Sequence, residues 1–182
     1  MKNPTCFYIR LLMLYIVVYI LFVEQNTATT TSNNDEVSLI RQSCNVTDYP
    51  DTCLSILEAD HRSRSATDLK SLTRISMDIL CEHSIGLKSL FIKAKENVTG
   101  PRDESSVRVC IQGFDYCNFD VKKNGIPHFE KGNYFELNRD IGVCAVCAND
   151  CIDTGINLFN KEIVTLRDLS IDILSFIDML PS

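Results

Sequence analysis

Nine cysteines in 182 residues are the side chains of this chain best suited to chemistry. A cysteine can ligate a metal, carry electrons, attack a substrate or close a disulfide, and spacing decides among these. Cys44 and Cys53 enclose "CNVTDYPDTC", which contains a Tyr-Pro step. Cys144 and Cys147 make a lone Cys-x-x-Cys in "GVCAVCANDC", with Cys151 just beyond. Cys6, Cys81, Cys110 and Cys117 stand apart. A structural zinc site asks for a second ligand pair at matching spacing, and His61, His83 and His128 are scattered. A thioredoxin-like site asks for a strand running into the Cys-x-x-Cys and a helix dipole on the thiol; no strand alternation precedes Cys144. Hydrolysis asks for a nucleophile beside a base, or for paired carboxylates. Neither Gly-x-Ser-x-Gly nor His-Glu-x-x-His occurs, and the Asp and Glu residues read as solvated helix faces. The expectation is a chain with no catalytic residue, metal ligand or cofactor, whose cysteines serve as disulfides.

That expectation needs an oxidising compartment. "LLMLYIVVYILFV" is an unbroken apolar run over 11–23, behind Lys2 and Arg10. It is short of the ~20 residues that span a bilayer and within the ~7–15 of a secretory leader core. Residues 1–28 are therefore expected to be a signal peptide, cleaved between Glu24 and Thr31, and 29–37 a polar lead-in. Cleavage removes Cys6 and leaves an even set of cysteines. Secretion also makes Asn45, in Asn45-Val46-Thr47, and Asn97, in Asn97-Val98-Thr99, candidate glycan acceptors. The net charge of -6, with no basic stripe, argues against nucleic acid. Asp168, Asp172 and Asp178 argue against a membrane anchor in the closing segment.

Residues 38–180 read as one all-α domain. Asp35 suits the cap of a short first helix. Pro50 suits the first turn of a second, where its missing N–H costs nothing, and it holds Tyr49 out of the helical region. From "SATDLKSL" to "KAKEN" an apolar face recurs at Leu69, Leu72, Ile75, Ile79, Leu80, Leu87, Leu90, Phe91 and Ala94; Thr67 or Ser65 suits its start. Gly100 and Pro101 mark a turn. Val107, Cys110, Ile111, Phe114, Cys117 and Val121 carry the next helix. "NGIPHFEKGN" breaks the rhythm with two glycines and a proline, a third helix follows, and Leu166, Leu169, Ile173, Ile177 and Leu180 stripe the last. Four long amphipathic segments with short links predict an antiparallel four-helix bundle behind an N-terminal helical hairpin.

Within that frame the cysteines fall into register. Cys44 and Cys53 flank a bend and clip the hairpin. Cys110 and Cys117 are seven apart on one helix, as are Cys144 and Cys151 on its antiparallel neighbour. Cys110 then meets Cys151, and Cys117 meets Cys144. Cys81 and Cys147 remain, either paired or, as favoured here, free in the core.

"CNVTDYPDTCLSIL" resembles the opening motif of the plant invertase and pectin methylesterase inhibitor family: a Cys, a Thr-x-Tyr-Pro step, and a second Cys followed by Leu. Cys110 and the Cys151 of "ANDCID" resemble its later pair, and "TDLKSLTRISMDIL" and "LRDLSIDILSFI" its long and closing helices. The resemblance covers about residues 38–180. It implies a clipped hairpin on a four-helix bundle, with no catalysis. It also implies a partner that is a secreted carbohydrate-active enzyme of the plant cell wall, blocked at its substrate cleft in the apoplast. Pectin methylesterase is the target favoured here; acid invertase and a secreted bundle that no longer inhibits are the alternatives. "GVCAV" stands where one branch carries Ser-Ala-Ala-Leu-Thr, and "PHF" at 127–129 lies about seven residues before the place of Pro-Lys-Phe in the other.

Overall fold

The computed structural model describes residues 39–181. The expected leader, its cleavage site, the lead-in over 29–37 and the proposed Asp35 cap lie outside them.

A short helical segment over 39–44 precedes α1 (Pro50–Ala59). Tyr49 caps α1 with a non-helical backbone (φ -127°) and Pro50 opens its first turn. The antiparallel pair lays its inner residues Ile40, Cys44, Cys53 and Leu57 into the core. A 3₁₀ turn (Ser63–Ser65) leads to α2 (Leu69–Lys95), the longest helix among the described residues. Neither Thr67 nor Ser65 caps α2. Asp68 does, accepting from the Ser71 N–H at 2.7 Å, while the Ser71 hydroxyl returns to the Asp68 N–H. The short Ser71 hydroxyl completes a capping box that usually employs Glu or Gln. Arg62 fastens the preceding corner by bridging Asp60 and Glu82, each at 2.7 Å.

Helix α3 (Pro101–Asp120) begins after Gly100, whose φ of 109° only glycine adopts without strain. The expected break at "NGIPHFEKGN" comes late. Val121–Gly125 form a π-helical turn and Ile126–Glu130 a short helix, α4, so the chain stays helical to Glu130. Pro127 sits in the first turn of α4, where no intrahelical N–H is required. Gly125 makes no turn: it is buried in the helical run, and a Cβ there would make ordinary contacts with Leu137 Cδ1 at 3.5 Å and Met77 Cε at 3.6 Å. The turn falls instead at Gly132 (φ 69°). α5 (Tyr134–Asp153) and α6 (Asn160–Asp178) complete the bundle, and among the described residues no strand occurs.

The long helices follow one another round the bundle, α2 beside α3, α3 beside α5, α5 beside α6, and α6 back against α2; α1 packs on α6. Phe91, Phe114 and Phe176, with Leu72, Leu80, Leu137, Ile141, Ile163 and Leu166, fill the interior. Phe91 meets the Phe159 ring edge-on at 5.2 Å. Three buried hydroxyls are satisfied by carbonyls, Ser76 by Leu72 O and Ser170 by Leu166 O within helices and Ser84 by Phe114 O between them, whereas the buried Ser63 hydroxyl has no partner among the described residues. Leu90 departs from the expected core stripe and is partly exposed.

Helices α3 and α5 approach closely at Gly113, where an added Cβ would lie 3.2 Å from Cys147 Cβ. The helical glycines Gly86 and Gly142 face open space. Gly→Ala in an open helix gains about 0.5–1 kcal/mol. Gly142→Ala is therefore expected to raise the melting temperature. Gly113→Ala loses the same gain to the contact with Cys147 and is expected to leave it unchanged or lower. Thermal unfolding of the two variants side by side checks this contrast.

Candidate functional site

The clip comes first, because its motif is the most distinctive in the chain. Cys44 and Cys53 are bonded, with Cα atoms 5.6 Å apart. Between them Tyr49 is fixed from two sides by α6. Its N–H donates to Asp172 Oδ1 at 2.9 Å, and its ring lies 5.7 Å from the Arg167 guanidinium, a cation–π distance. Arg167 is itself held by Asp168 Oδ1 at 2.7 Å. The Tyr-Pro step is thus the joint where hairpin meets bundle. Asp172 is fully buried. Burial pushes its carboxyl up to about 6, against the Tyr49 N–H, which holds it down; the nearby Asp168 and Asp48 carboxylates add to the rise. These acids correct an expectation: Asp120, Asp140, Asp168 and Asp172 are buried, not on solvated helix faces. Asp140 accepts from or donates to His128 Nδ1 at 2.6 Å, and Asp120 accepts from the Asn124 amide.

A second set of covalent ties joins α3 to α5. Cys110–Cys151 and Cys117–Cys144 have Cα separations of 4.8 and 4.7 Å, with the Gly113 contact between them. The two helices form one plate that cannot slide.

Cys81 and Cys147 are free and buried. Burial pushes both thiols up to about 11, so neither is a ready thiolate. Cys144 is bonded to Cys117 across the bundle, so "CAVC" does not close on itself. In native protein both thiols are expected to react slowly with a water-soluble disulfide reagent and quickly after denaturation, which a thiol titration with and without guanidinium measures. Burial lowers the His83 imidazole. Among the described residues no group of three metal-ligating side chains assembles.

Chemistry on the outer surface is that of contact. On α3, Tyr116 and Phe119 are more than half exposed and, with Gln112, Asp115, Lys122 and Lys123, line a depression of about 380 Å³. Val146 stands out from α5. At the end of the bundle where α5 begins, Phe135 is 84% exposed beside Tyr134, Arg139 and Leu180. Single exposed apolar side chains are ordinary, but aromatic ones at neighbouring turns of a rigid helix suit a protein interface.

The model of one family, plant invertase/pectin methylesterase inhibitor, matches residues 38–155, from the hairpin through α5. The chain belongs to that family. Its members are inhibitors and not enzymes. Two solved structures share the fold. A mutant form of a pectin methylesterase inhibitor from Arabidopsis aligns with a TM-score of 0.67 at 20% identity, covering 80% of this chain and 97% of that one. A pectin methylesterase inhibitor from Arabidopsis thaliana aligns with a TM-score of 0.57 at 18% identity, over the same shares. Among curated proteins, a putative pectinesterase/pectinesterase inhibitor 26 of Arabidopsis thaliana is 32% identical over 78 residues. Those residues are 43% of this chain and 8% of that protein, so the chain spans a small part of its length.

The structure brings the six expected disulfide cysteines together in three pairs and leaves both sequon asparagines, Asn45 and Asn97, exposed. What sequence reasoning missed is the Asp172 joint. The signal was present: Asp172 lies three residues after Leu169 and next to Ile173, inside the apolar stripe of α6.

Proposed function

We propose that this chain is an exported inhibitor of a pectin methylesterase and that it acts by covering the enzyme's substrate cleft. Its membership of an inhibitor family, together with a fold that spans almost the whole of a solved pectin methylesterase inhibitor, is the observation that carries this reading. In this reading the docking face is the outer side of the α3–α5 plate: Tyr116 and Phe119 offer apolar area beside Lys122 and Lys123 on α3, and Val146 stands out from α5. Two disulfides hold the plate rigid before binding, which lowers the ordering cost of association. The net charge of -6 favours capture of a basic partner by long-range steering. Export rests on residues 1–28 acting as a leader; among the described residues no helix is long and apolar enough to cross a membrane.

The test is a titration of purified protein into a pectin methylesterase and, separately, into an acid invertase, at mildly acidic pH. Methanol release from pectin is expected to fall to near zero at an inhibitor-to-enzyme ratio of about one. Tyr116→Ala with Phe119→Ala, two exposed positions, is expected to weaken inhibition at least tenfold without lowering the melting temperature. Inhibition of the invertase alone would transfer the same face to the other target. Inhibition of neither would refute the reading.

A further inference from the structure

We propose that the chain carries a single N-linked glycan, on Asn97, and that Asn45 stays bare because the clip folds its sequon away. The inference rests on residues 1–28 delivering the chain to the secretory compartment. In the transfer, the Asn side-chain nitrogen bonds to C1 of a polyprenyl-pyrophosphate-linked oligosaccharide. The C1–O bond to the pyrophosphate breaks, the lipid pyrophosphate leaves with the electron pair, and the amide gives up one proton. The acceptor must present Asn-x-Thr on an accessible surface loop, with the Thr hydroxyl available for recognition.

The two sequons differ in that respect. Asn45 follows Cys44 directly, and Cys44 is fully buried and bonded to Cys53. The Thr47 hydroxyl donates to Cys44 O at 2.9 Å, and the Thr47 N–H donates to the same carbonyl at 3.1 Å. Asn45 N–H still belongs to the preceding helix, donating to Arg41 O at 3.1 Å. The sequon is therefore coiled into a tight turn whose hydroxyl is spent. The clip closes a loop of only nine residues' separation, the shortest of the three, so it forms early. Asn97 and Thr99 sit in the turn between α2 and α3, ahead of Gly100. Both are exposed, and no hydrogen bond of either side chain is found among the described residues. This turn depends on contacts that form only when the bundle assembles.

The site is also shaped for a sugar. Asn97, Val98 and Thr99 face Ile156, Asn157 and Leu158 of the α5–α6 link across a cleft of about 340 Å³. Val98, Ile156 and Leu158 pack against the core and floor it. The first sugar ring can lie its C–H face on that floor. A glycan there covers the end of the bundle opposite Phe135 and confines a protein partner to the flanks and the α4 end.

The experiment is translation of the full chain with microsomes, scoring protease protection and endoglycosidase-sensitive mobility steps. Protected chain with one such step, lost in Thr99→Ala and kept in Thr47→Ala, supports the proposal. Cys53→Ser, which opens the clip, is expected to add a second step that Thr47→Ala removes. Protected chain with no step, with two steps, or with a step that survives Thr99→Ala would overturn it. Unprotected chain would overturn it through the leader instead, a failure that the protection assay identifies by itself, while the inhibition assay stands apart from both.

Discussion

Replacing Cys110, Cys151, Cys117 and Cys144 together by serine is expected to leave the protein unfolded at 37 °C, whereas Cys44→Ser with Cys53→Ser leaves it folded with a lowered melting temperature. The reason is loop length. The α3–α5 ties close loops of 41 and 27 residues' separation, one inside the other, and the clip closes one of nine. In the chain-entropy model the clip contributes about 2.7 kcal/mol and the outer tie, taken alone, about 3.9 kcal/mol. Because the ties are nested, the pair contributes about 6–7 kcal/mol together. That is comparable with the whole stability of many domains, about 5–15 kcal/mol. All four sulfurs are fully buried, so four hydroxyls would also enter the core. Among single variants, Cys110→Ser is expected to lose more than Cys44→Ser. Urea midpoints followed by far-UV circular dichroism give the order; equal midpoints for the two single variants, or a folded quadruple variant at 37 °C, would contradict it.

Asp172→Asn is expected to stabilise the protein at pH 7.5 and to change little at pH 4. The Asp172 carboxyl titrates near 6 in the fold, above its ordinary 3.8, because burial disfavours the charge. The folded state therefore holds a proton that the unfolded chain releases. Stability from this group is fully present below about pH 4 and is lost as pH rises to about 6. An amide keeps an acceptor for the Tyr49 N–H without the charge, so the variant escapes that loss. A gain on the order of 1–2 kcal/mol at neutral pH is expected. Asp60, Asp68 and Glu82 act in the opposite sense. Hydrogen bonds from Arg62 to Asp60 and Glu82, and from Ser71 to Asp68, hold these carboxyls below their ordinary values. Their stabilisation is lost as pH falls through the acid range. The readout is thus the difference between variant and wild type at each pH, which cancels their common background. A variant less stable than wild type at pH 7.5 would show that the Asp172 charge is needed at the joint.

The fold was legible wherever one physical signal sufficed. Apolar spacing located α2, α3, α5 and α6, and Pro50 located the start of α1. Two signals misled. Glycines and a proline in "NGIPHFEKGN" promised a break, but a π-helical turn takes in Gly125, Pro127 sits in the first turn of α4, and the chain stays helical to Glu130. Charge at Asp172, Asp168 and Asp140 promised solvent, but each is buried against a partner: the Tyr49 N–H, Arg167 and His128. The Tyr49 partner, 123 residues from Asp172, is set by tertiary packing and cannot be read from local pattern. The docking face was legible only as the pair of helices that carry it; that Tyr116 and Phe119 point outward, while Phe114 and Cys117 point in, is a matter of helix rotation.

Occlusion of a substrate cleft makes a kinetic statement sharper than inhibition alone. Initial rates of methanol release by pectin methylesterase should be measured against pectin concentration at several fixed concentrations of the protein. Cleft occlusion predicts that the apparent KM rises with inhibitor while kcat stays constant, so that high pectin restores the full rate. A fall in kcat at unchanged KM, or full activity at every inhibitor concentration, would contradict it.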